Sequence, residues 1–241
     1  MKKERLDNLL VRLGLFPSRN KAVSEIMAGN VLVNETPALK AGQMVSADAL
    51  IRIKKKFPYV SRGALKLIHA LDTFQIDVKD KIAIDIGAST GGFTEILLEK
   101  GASLVYAVDC GTNQLDWKLR SNPRVIPMEK INARYIDKYE FNPKPQIATI
   151  DVSFISITKI LLPLIHILEK NFKIITLIKP QFELEKTKVG KKGLVAEEFR
   201  QEATQKVLDY ASSIGLTHEK VIESPITGAK SGNVEFMTVF Y

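Results

Sequence analysis

The feature that most constrains the fold is the stretch Asp85-Ile-Gly-Ala-Ser-Thr-Gly-Gly-Phe93, which follows an apolar run and precedes an amphipathic one. This order of strand, glycine turn and helix is typical of the nucleotide-binding opening of a doubly wound α/β domain. The glycines Gly87, Gly91 and Gly92 depart from the G-x-G-x-x-G spacing of dinucleotide-binding turns. The stretch therefore predicts a nucleotide site of a different kind, with a purely structural turn as the alternative.

The carboxylate of Asp85, at the end of the predicted strand, indicates which nucleotide this is. A pyrophosphate needs backbone N–H groups at a tightly packed helix N-terminus. S-adenosylmethionine carries an ammonium and a sulfonium group, and a carboxylate can bind such cations. The turn therefore favours S-adenosylmethionine over NAD. The predicted cofactor contacts in this stretch are Asp85, Gly87, Ser89, Thr90, Gly91, Gly92 and Phe93.

Hydrophobic periodicity after residue 60 alternates between strand and helix patterns, which predicts an α/β domain with a mostly parallel sheet. We expect strands near 82–86, 104–109, 124–127, 146–151 and 173–179, and two final strands near 219–223 and 234–241. We expect helices near 92–100, 114–120, 156–169 and 196–213, preceded by a helix that Ser61 caps and that runs to about Phe74.

Positive charge is concentrated at the start of the chain. Of the formal net charge of +8, residues 1–60 carry +6 and the rest of the chain carries +2. A basic module beside a near-neutral one indicates a polyanionic partner, although charge that serves only solubility is the alternative. The single cysteine, Cys110, excludes an internal disulfide. The chain opens without a signal peptide and has no apolar run of ~20 residues, so we expect a cytoplasmic protein without stable membrane association.

The first 56 residues predict a compact α+β unit. Leucines at helical spacing predict a helix over 4–13, and Ser18 predicts the N-cap of a second helix over 19–28, with Glu25 on its outer face. Short strands follow, with turns between them.

This unit resembles the alpha-L RNA-binding module, the one named after ribosomal protein S four, in the segment RLDNLLVRLGLFPSRNKAVSEIMAGNVLVN. The resemblance implies that the second helix and the turn after it meet the RNA backbone. The candidate contacts are Arg5, Arg19, Lys21 and Asn30. Each of them alone is equally compatible with a solvated surface position, and it is their order in the segment that favours RNA binding.

Charged residues close four of the predicted strands: Asp85, Asp109, Asp151 and Lys179. In an open parallel sheet the ligand crevice lies just outside these strand ends, and an unpaired buried charge is costly, so we expect these side chains to serve a site. Asp109 stands about 20 residues past the glycine turn, where an acid accepts hydrogen bonds from ribose hydroxyls. A helix cap is the alternative role for Asp109.

Lys179 precedes Pro180, which restricts the lysine to an extended conformation and ends the strand at the edge of the sheet where the crevice lies. A lysine that acts as a base there must lose its proton more easily than usual, and a neighbouring cation favours that loss. Lys66 or a bound sulfonium is a candidate for that cation. We expect Asp151 and Glu235 to position the two lysines.

Eight short blocks over nearly the whole chain resemble the TlyA family: YVSRGALKL, DIGASTGGFTE, VYAVDCG, QLDWKLRSNPRV, IDVSFIS, LIKPQFE, VGKKG and GNVEF. These are ribosomal RNA 2′-O-ribose methyltransferases with an FtsJ-like catalytic domain, historically labelled hemolysins. The resemblance implies a Rossmann-like methyltransferase domain over 61–241, with a seven-stranded sheet whose last strand is antiparallel. A linker at 57–60 would join it to the RNA-binding domain at 1–56.

The resemblance also implies a Lys-Asp-Lys-Glu catalytic tetrad, which falls on Lys66, Asp151, Lys179 and Glu235. It places Asp151 beside the cofactor as well, adds Arg62 to the RNA contacts, and implies cytidines of small- or large-subunit ribosomal RNA as the substrate.

Two other classes of function stay open: a membrane-active cytolysin and a ribosome-binding factor without catalysis. The three histidines show no metal-ligand spacing, so no metal is expected. The lysines around Gly190 and Gly193 predict either a loop that clamps RNA phosphates near the site or a plain solvated loop.

Overall fold

The computed structural model describes residues 3–54, 57–228 and 232–241. The chain divides into two compact units, Met1–Pro58 and Tyr59–Tyr241. Among these described residues, buried apolar side chains form one cluster in the first unit and two in the second.

The N-terminal unit packs two helices on short antiparallel strands. Its elements are β1 (Lys3–Arg5), α1 (Leu6–Arg12), α2 (Arg19–Met27), β2 (Val31–Val33), β3 (Thr36–Pro37), β4 (Met44–Ser46) and β5 (Ile51–Ile53). β1 pairs with β4, and β2 lies between β3 and β5. The helices bury Leu6, Leu9 and Leu10 against Ala22 and Ile26.

Helix α1 begins at Leu6, later than predicted, because the three residues before it form strand β1, which pairs with β4. Helix α2 has the predicted N-cap: the Ser18 side chain accepts a hydrogen bond from the backbone N–H of Lys21 at 3.3 Å. The prediction for Glu25 was wrong, since this side chain is buried rather than on the outer face.

The C-terminal unit is a seven-stranded, mostly parallel sheet with flanking helices. Its strands are β6 (Ile82–Ile86), β7 (Leu104–Val108), β8 (Val125–Met128), β9 (Ile147–Ile150), β10 (Lys173–Ile178), β11 (Ile222–Glu223) and β12 (Phe236–Phe240). Its α-helices are α3 (Gly63–Thr73), α4 (Gly92–Glu99), α5 (Trp117–Arg120), α6 (Thr158–Ile167), α7 (Pro180–Glu183) and α8 (Glu197–Ser213). Short 3₁₀ turns occupy Ala133–Lys138, Lys186–Lys188 and Lys191–Gly193.

The strand order is β11-β12-β10-β9-β6-β7-β8, in which β6 to β10 are parallel and β12 is antiparallel to β10. Central strands with apolar side chains on both faces are typical of a sheet covered by helices on each side. In β6, Ala83 belongs to one apolar cluster and Ile84 with Ile86 to the other. The predicted Rossmann-like fold with an antiparallel last strand is confirmed.

Several predicted boundaries were wrong for local reasons. Helix α3 begins at Gly63, and the Ser61 side chain does not cap it, because Arg62 occupies the N-cap position in a helical conformation. The helix predicted over 114–120 is shorter in the structure and consists of α5 alone. Asp116 is its N-cap, because the Asp116 side chain accepts a hydrogen bond from the Lys118 backbone N–H at 2.9 Å. Helix α7 was not predicted, because its four residues are too few to show periodicity.

Candidate active site

Four charged side chains meet at the carboxyl edge of the sheet. Asp151 follows β9 and Lys179 follows β10, and because these strands are parallel neighbours both side chains emerge at the same edge. Glu235 directly precedes β12, which runs antiparallel to β10 and therefore begins at that edge. Helix α3 supplies Lys66. These four side chains are called the tetrad below.

The tetrad consists of two ion pairs that Asp151 links. Lys179 Nζ lies 2.5 Å from Asp151 Oδ1, and Lys66 Nζ lies 2.5 Å from Glu235 Oε2. Asp151 Oδ2 lies 3.7 Å from Lys66 Nζ and so joins the two pairs. Lys66, Lys179 and Glu235 are only 7%, 8% and 3% exposed. Two cations opposite two carboxylates leave no net charge in this enclosed place, which is what allows buried charges to persist.

Two cavities open on both lysines of the tetrad. The turn cavity, of about 350 Å³, extends from the glycine turn to Lys66, Asp151 and Lys179. The aromatic cavity, of about 420 Å³, is lined by Phe154 and Phe182 and also reaches both lysines. Because the two cavities share Lys66 and Lys179, a ligand in each would meet its neighbour at the tetrad.

A third cavity, of about 470 Å³, adjoins the turn cavity and shares Gly87, Ser89 and Asp151 with it. We call it the Asp109 cavity. Asp109 accepts hydrogen bonds from the backbone N–H groups of Ser89 at 2.8 Å and Gly111 at 2.7 Å. This carboxylate therefore fixes the glycine turn and does not cap a helix, since Asp116 caps α5.

The turn allows close approach because its glycines cannot carry a side chain. Gly87 has a φ of +86°, and a Cβ there would lie 2.5 Å from the carbonyl oxygen of Asp151. A Cβ at Gly92 would lie 2.1 Å from Ser61 Oγ. Side chains at these positions would push the turn away from the residues that close the cavity.

Most of the predicted cofactor contacts line the turn cavity: Gly87, Ser89, Thr90, Gly92, Phe93 and Asp151. Gly91 has another role, because it has a φ of +98° and a Cβ there would lie 2.2 Å from Leu119 Cδ1. The absence of a side chain at Gly91 therefore lets the turn pack closely against α5.

The structure does not place Asp85 in a cavity, which corrects the expectation of a direct contact with an ammonium. Its side chain is fully buried inside β6 and not at the end of the strand. It accepts hydrogen bonds from Thr94 Oγ1 at 2.7 Å and Thr149 Oγ1 at 2.9 Å. Burial raises the pKa of Asp85 to about 6, and the charge of Asp151 adds to that effect, while the two threonines oppose it. Asp85 thus ties α4 and β9 to β6 beneath the turn.

The predicted RNA contacts of the N-terminal unit are organised by two buried acids. Arg5 and Arg19 both pair with Asp7, at 2.8 and 2.9 Å, and these guanidinium groups lower the pKa of Asp7 to about 2. Their side chains stay 44% and 57% exposed. The guanidinium groups are therefore fixed in direction and still open to solvent.

Lys21 and Asn30 share the second acid. Lys21 Nζ lies 2.9 Å from Glu25 Oε1, and Asn30 Nδ2 donates to Glu25 Oε2 at 2.7 Å. From its buried position, Glu25 therefore fixes both Lys21 and Asn30. Arg62, the remaining predicted RNA contact, lies in the other unit and lines the turn cavity.

Sequence reasoning missed several residues that line the aromatic cavity, among them Ser153 and Phe154. Lys192, which also lines this cavity, belongs to the lysine-rich loop for which the sequence left open an RNA clamp or a plain solvated loop. Ser153 Oγ accepts a hydrogen bond from Lys179 Nζ at 3.2 Å. Phe154 is 82% exposed, has a φ of +65°, and its ring centroid lies 5.2 Å from that of Phe182. Its position three residues after a strand-ending carboxylate was the available signal.

Within residues 3–54, 57–228 and 232–241, no group of His, Cys, Asp and Glu side chains is arranged to hold a metal ion. No helix in the described part of the chain is long and apolar enough to cross a membrane.

Comparison with family models gives two matches. Residues 59–240 match the FtsJ-like methyltransferase family, and residues 4–51 match the S4 domain. The two matches cover the two units of the structure separately.

Individual relatives match over almost the whole chain. The Mycobacterium tuberculosis protein named 16S/23S rRNA (cytidine-2'-O)-methyltransferase TlyA is 39% identical over 238 residues, which are 98% of this chain and 88% of that protein. Hemolysin A of Brachyspira hyodysenteriae is 42% identical over 243 residues, which are 98% of this chain and 99% of that protein. A solved structure from Streptococcus thermophilus that carries a hemolysin name has a TM-score of 0.74 and 43% identity, and the match covers 100% of this chain and 88% of that one.

Proposed function

The chain belongs to the FtsJ-like methyltransferase family, and on that premise we propose that it transfers a methyl group from S-adenosylmethionine to the ribose 2′-oxygen of a cytidine in ribosomal RNA. The observation that carries the proposal is the tetrad, in which two buried lysines and two carboxylates lie where the turn cavity and the aromatic cavity meet. The relative named TlyA supports the choice of ribosomal RNA and of the 2′-oxygen.

The residues of the turn cavity and the Asp109 cavity fit S-adenosylmethionine. Gly87 packs so closely against Asp151 that a Cβ there would lie 2.5 Å from the Asp151 carbonyl oxygen, and this contact holds the turn beside the strand ends. Asp109 offers carboxylate oxygens to ribose hydroxyls. When bound, the cofactor supplies an electrophilic methyl group. The turn holds it, and Asp151 and Lys179 define where the acceptor oxygen must lie.

Lys179 is the residue that we assign to the acceptor hydroxyl. Its Nζ is fixed by Asp151 at 2.5 Å and by Ser153 at 3.2 Å, so it points in one direction from the strand end. It orients the 2′-hydroxyl for in-line attack, and the Lys179–Asp151 pair takes up the hydroxyl proton as the methyl group is received. Lys66 and Glu235 hold Asp151 in place from the other side. Much of the rate gain comes from alignment.

The aromatic cavity is suited to the target nucleotide. A ribose can present its 2′-hydroxyl there only if the nucleotide leaves its stack, and a flipped base needs a flat apolar surface. Phe154, exposed and backed by Phe182, offers that surface beside the lysines.

The N-terminal unit supplies the affinity for ribosomal RNA in this proposal. Arg5, Arg19, Lys21 and Asn30 contact the RNA backbone, with Arg62 doing so at the turn cavity. We keep the division into an RNA-binding domain at 1–56, a linker at 57–60 and a catalytic domain at 61–241. A ribosomal substrate implies that the reaction takes place in the cytoplasm.

The test is transfer of labelled methyl from S-adenosylmethionine to purified ribosomal subunits that lack the modification. Wild type, Lys179→Ala and Lys173→Ala are compared, because Lys173 lies at the opposite end of the same strand and serves as the matched control. We expect label in RNA with wild type and the control, and a loss of about 10²- to 10⁴-fold with Lys179→Ala. Mapping the label then identifies the nucleotide and the subunit.

Full labelling by Lys179→Ala would remove Lys179 from the mechanism. No labelling by folded wild type on either subunit would overturn the proposal, and leakage of liposomes by the pure protein without cofactor would then favour a cytolysin.

A further inference from the structure

The lysine-rich segment after helix α7 separates into residues with different surroundings. Lys188 Nζ lies 2.6 Å from Glu202 Oε1 and 5.7 Å from the centre of the Phe199 ring, so its charge is paired on helix α8. Lys192 instead lines the aromatic cavity together with Lys66, Lys179 and Glu235. The two lysines therefore have different roles, although both belong to one short run of basic residues.

Lys192 is held in this place by the backbone of its loop. Its φ is +62°, a region that residues other than glycine seldom occupy. The loop closes through an antiparallel bridge between Val189 and Val195 and a hydrogen bond from Gly190 N–H to the Leu194 carbonyl at 2.8 Å. Lys192 lies at the tip of this closed loop.

Asn233 anchors the loop to the segment that precedes β12 and contains Glu235. Its Oδ1 accepts from the Val195 backbone N–H at 2.9 Å, and its Nδ2 donates to the Gly193 carbonyl at 2.7 Å. Asn233 is 2% exposed and precedes Glu235 by two residues. One buried amide thus fixes the position of Lys192 relative to Glu235.

Charge decides what Lys192 can bind. The tetrad is neutral as a group, because each lysine faces a carboxylate. Among the described residues, Lys192 has no carboxylate within ion-pair distance, so it adds a positive charge to the wall of the aromatic cavity. A strand of RNA whose ribose reaches Lys179 carries a phosphate on each side of that ribose. A cation in the wall of the same cavity is complementary to one of these groups.

We propose that Lys192 binds a phosphate of the RNA strand next to the nucleotide that is methylated, and that Asn233 positions it. The assignment rests on the proposed function, and it adds a substrate contact outside the tetrad. Lys192 then helps to hold the strand while the ribose reaches the tetrad, so its contribution belongs to RNA binding more than to the methyl transfer step.

The test compares Lys192→Ala with Lys191→Ala and Lys192→Arg in methyl transfer to ribosomal subunits over a range of salt concentrations. Lys191 is the matched control, since it is the neighbouring exposed lysine of the same turn. For Lys192→Ala we expect KM for RNA to rise about tenfold with kcat nearly unchanged, and the slope of log(kcat/KM) against log salt to fall by about 0.7. Lys192→Arg should restore most of the affinity, and the KM for S-adenosylmethionine should not move.

Equal KM and salt slope in Lys192→Ala and wild type would overturn the assignment, as would the same loss in Lys191→Ala. A change in the KM for S-adenosylmethionine alone would also overturn it. Failure of the proposed function is a separate result, since wild type itself would then label no RNA. As a second variant, Asn233→Ala should raise the KM for RNA in the same way and should make the chain easier for trypsin to cut after Lys191 and Lys192.

Discussion

Lys66 Nζ lies 2.5 Å from Glu235 Oε2, although 169 positions separate the two residues in the chain. The contact depends on the antiparallel return of β12, which brings the start of the last strand to the edge where β9 and β10 end. Both side chains are less than one-tenth exposed. Each buried charge is therefore stabilised mainly by the other, since Asp151 lies farther from Lys66, at 3.7 Å.

Removing one member of this pair should cost more stability than removing both. Glu235→Gln leaves Lys66 with only Asp151, at 3.7 Å, and is expected to lower the free energy of unfolding by about 3 kcal/mol. The double variant Lys66→Met, Glu235→Leu should recover most of that loss while transferring no methyl group. Urea denaturation of wild type and the two variants measures the difference, and a double variant less stable than Glu235→Gln would contradict the coupling of the pair.

The glycine turn gives a second prediction with a close control. Gly87 and Gly215 have nearly the same φ, +86° and +87°, but a Cβ at Gly87 would lie 2.5 Å from the Asp151 carbonyl while a Cβ at Gly215 would meet nothing within 4 Å. Alanine at either position carries the same backbone strain. Only Gly87→Ala must also displace Asp151.

We expect Gly87→Ala to weaken the binding of S-adenosylmethionine at least tenfold and Gly215→Ala to leave it unchanged, as measured by calorimetry. Similar stability losses in both variants, with binding intact in both, would contradict the close-approach role of Gly87.

The fold could be predicted from the sequence because its signals are local and repeated. The apolar runs of β6, β7 and β10 and the glycine turn between β6 and α4 each indicate the same parallel α/β arrangement. The tetrad could be predicted only in part. Asp151 and Lys179 stand out as charges at strand ends, whereas Lys66 and Glu235 look like ordinary surface residues until β12 turns back beside β10.

Asp85 shows where sequence reasoning fails. A carboxylate beside a glycine turn looks like a ligand contact, yet its burial depends on Thr94 and Thr149, of which the second is 64 positions away. A periodic pattern does not reveal a hydrogen bond between two strands that are neighbours in the sheet but far apart in the sequence. The sequence therefore predicted that Asp85 is important for the site but assigned it the wrong partners.

The raised pKa of Asp85 predicts a specific pH dependence of stability. The pKa of Asp85 is about 6 in the folded protein, against about 3.9 in an unfolded chain. Between these values the folded state holds a proton that the unfolded state has lost, so the free energy of unfolding falls as pH rises from 4 to 6 and then levels off.

Asp85→Asn removes this titration. The stability of wild type minus that of Asp85→Asn should fall by about 2 kcal/mol between pH 4 and pH 7, at about 1.36 kcal/mol per pKa unit, because the unfolded carboxyl is already partly ionised at pH 4. Urea denaturation across that range measures it. Binding of S-adenosylmethionine by the variant should stay within a few-fold of wild type, because Asp85 does not line the cavity, and a difference that is flat with pH would argue against a buried ionisable Asp85.

Glu183 is predicted to hold the two strand-end segments of the site together. This buried carboxylate, at the end of α7, accepts from Ser156 Oγ at 2.5 Å and from the Ile157 backbone N–H at 2.8 Å. It thereby ties the segment after Lys179 to the segment after Asp151, which carries Ser153 and Phe154. Burial raises the pKa of Glu183, while the hydrogen bonds from Ser156 and Ile157 oppose that shift. Because the role of Glu183 is to accept hydrogen bonds, an uncharged side chain of the same shape that keeps an oxygen here should serve as well.

Glu183→Ala is expected to lower the free energy of unfolding by about 1–3 kcal/mol, because the buried Ile157 N–H and the part-buried Ser156 hydroxyl lose their acceptor. We also expect kcat to fall about tenfold as Ser153 and Phe154 lose their fixed position. Glu183→Gln keeps an acceptor for the Ile157 N–H, and the Ser156 hydroxyl can turn to accept from the new amide, so this variant should retain near-wild-type kcat. Single-turnover methyl transfer and urea denaturation distinguish the two variants. If Glu183→Gln lost activity as severely as Glu183→Ala, the negative charge of Glu183 would matter and the bridging role alone would not explain it.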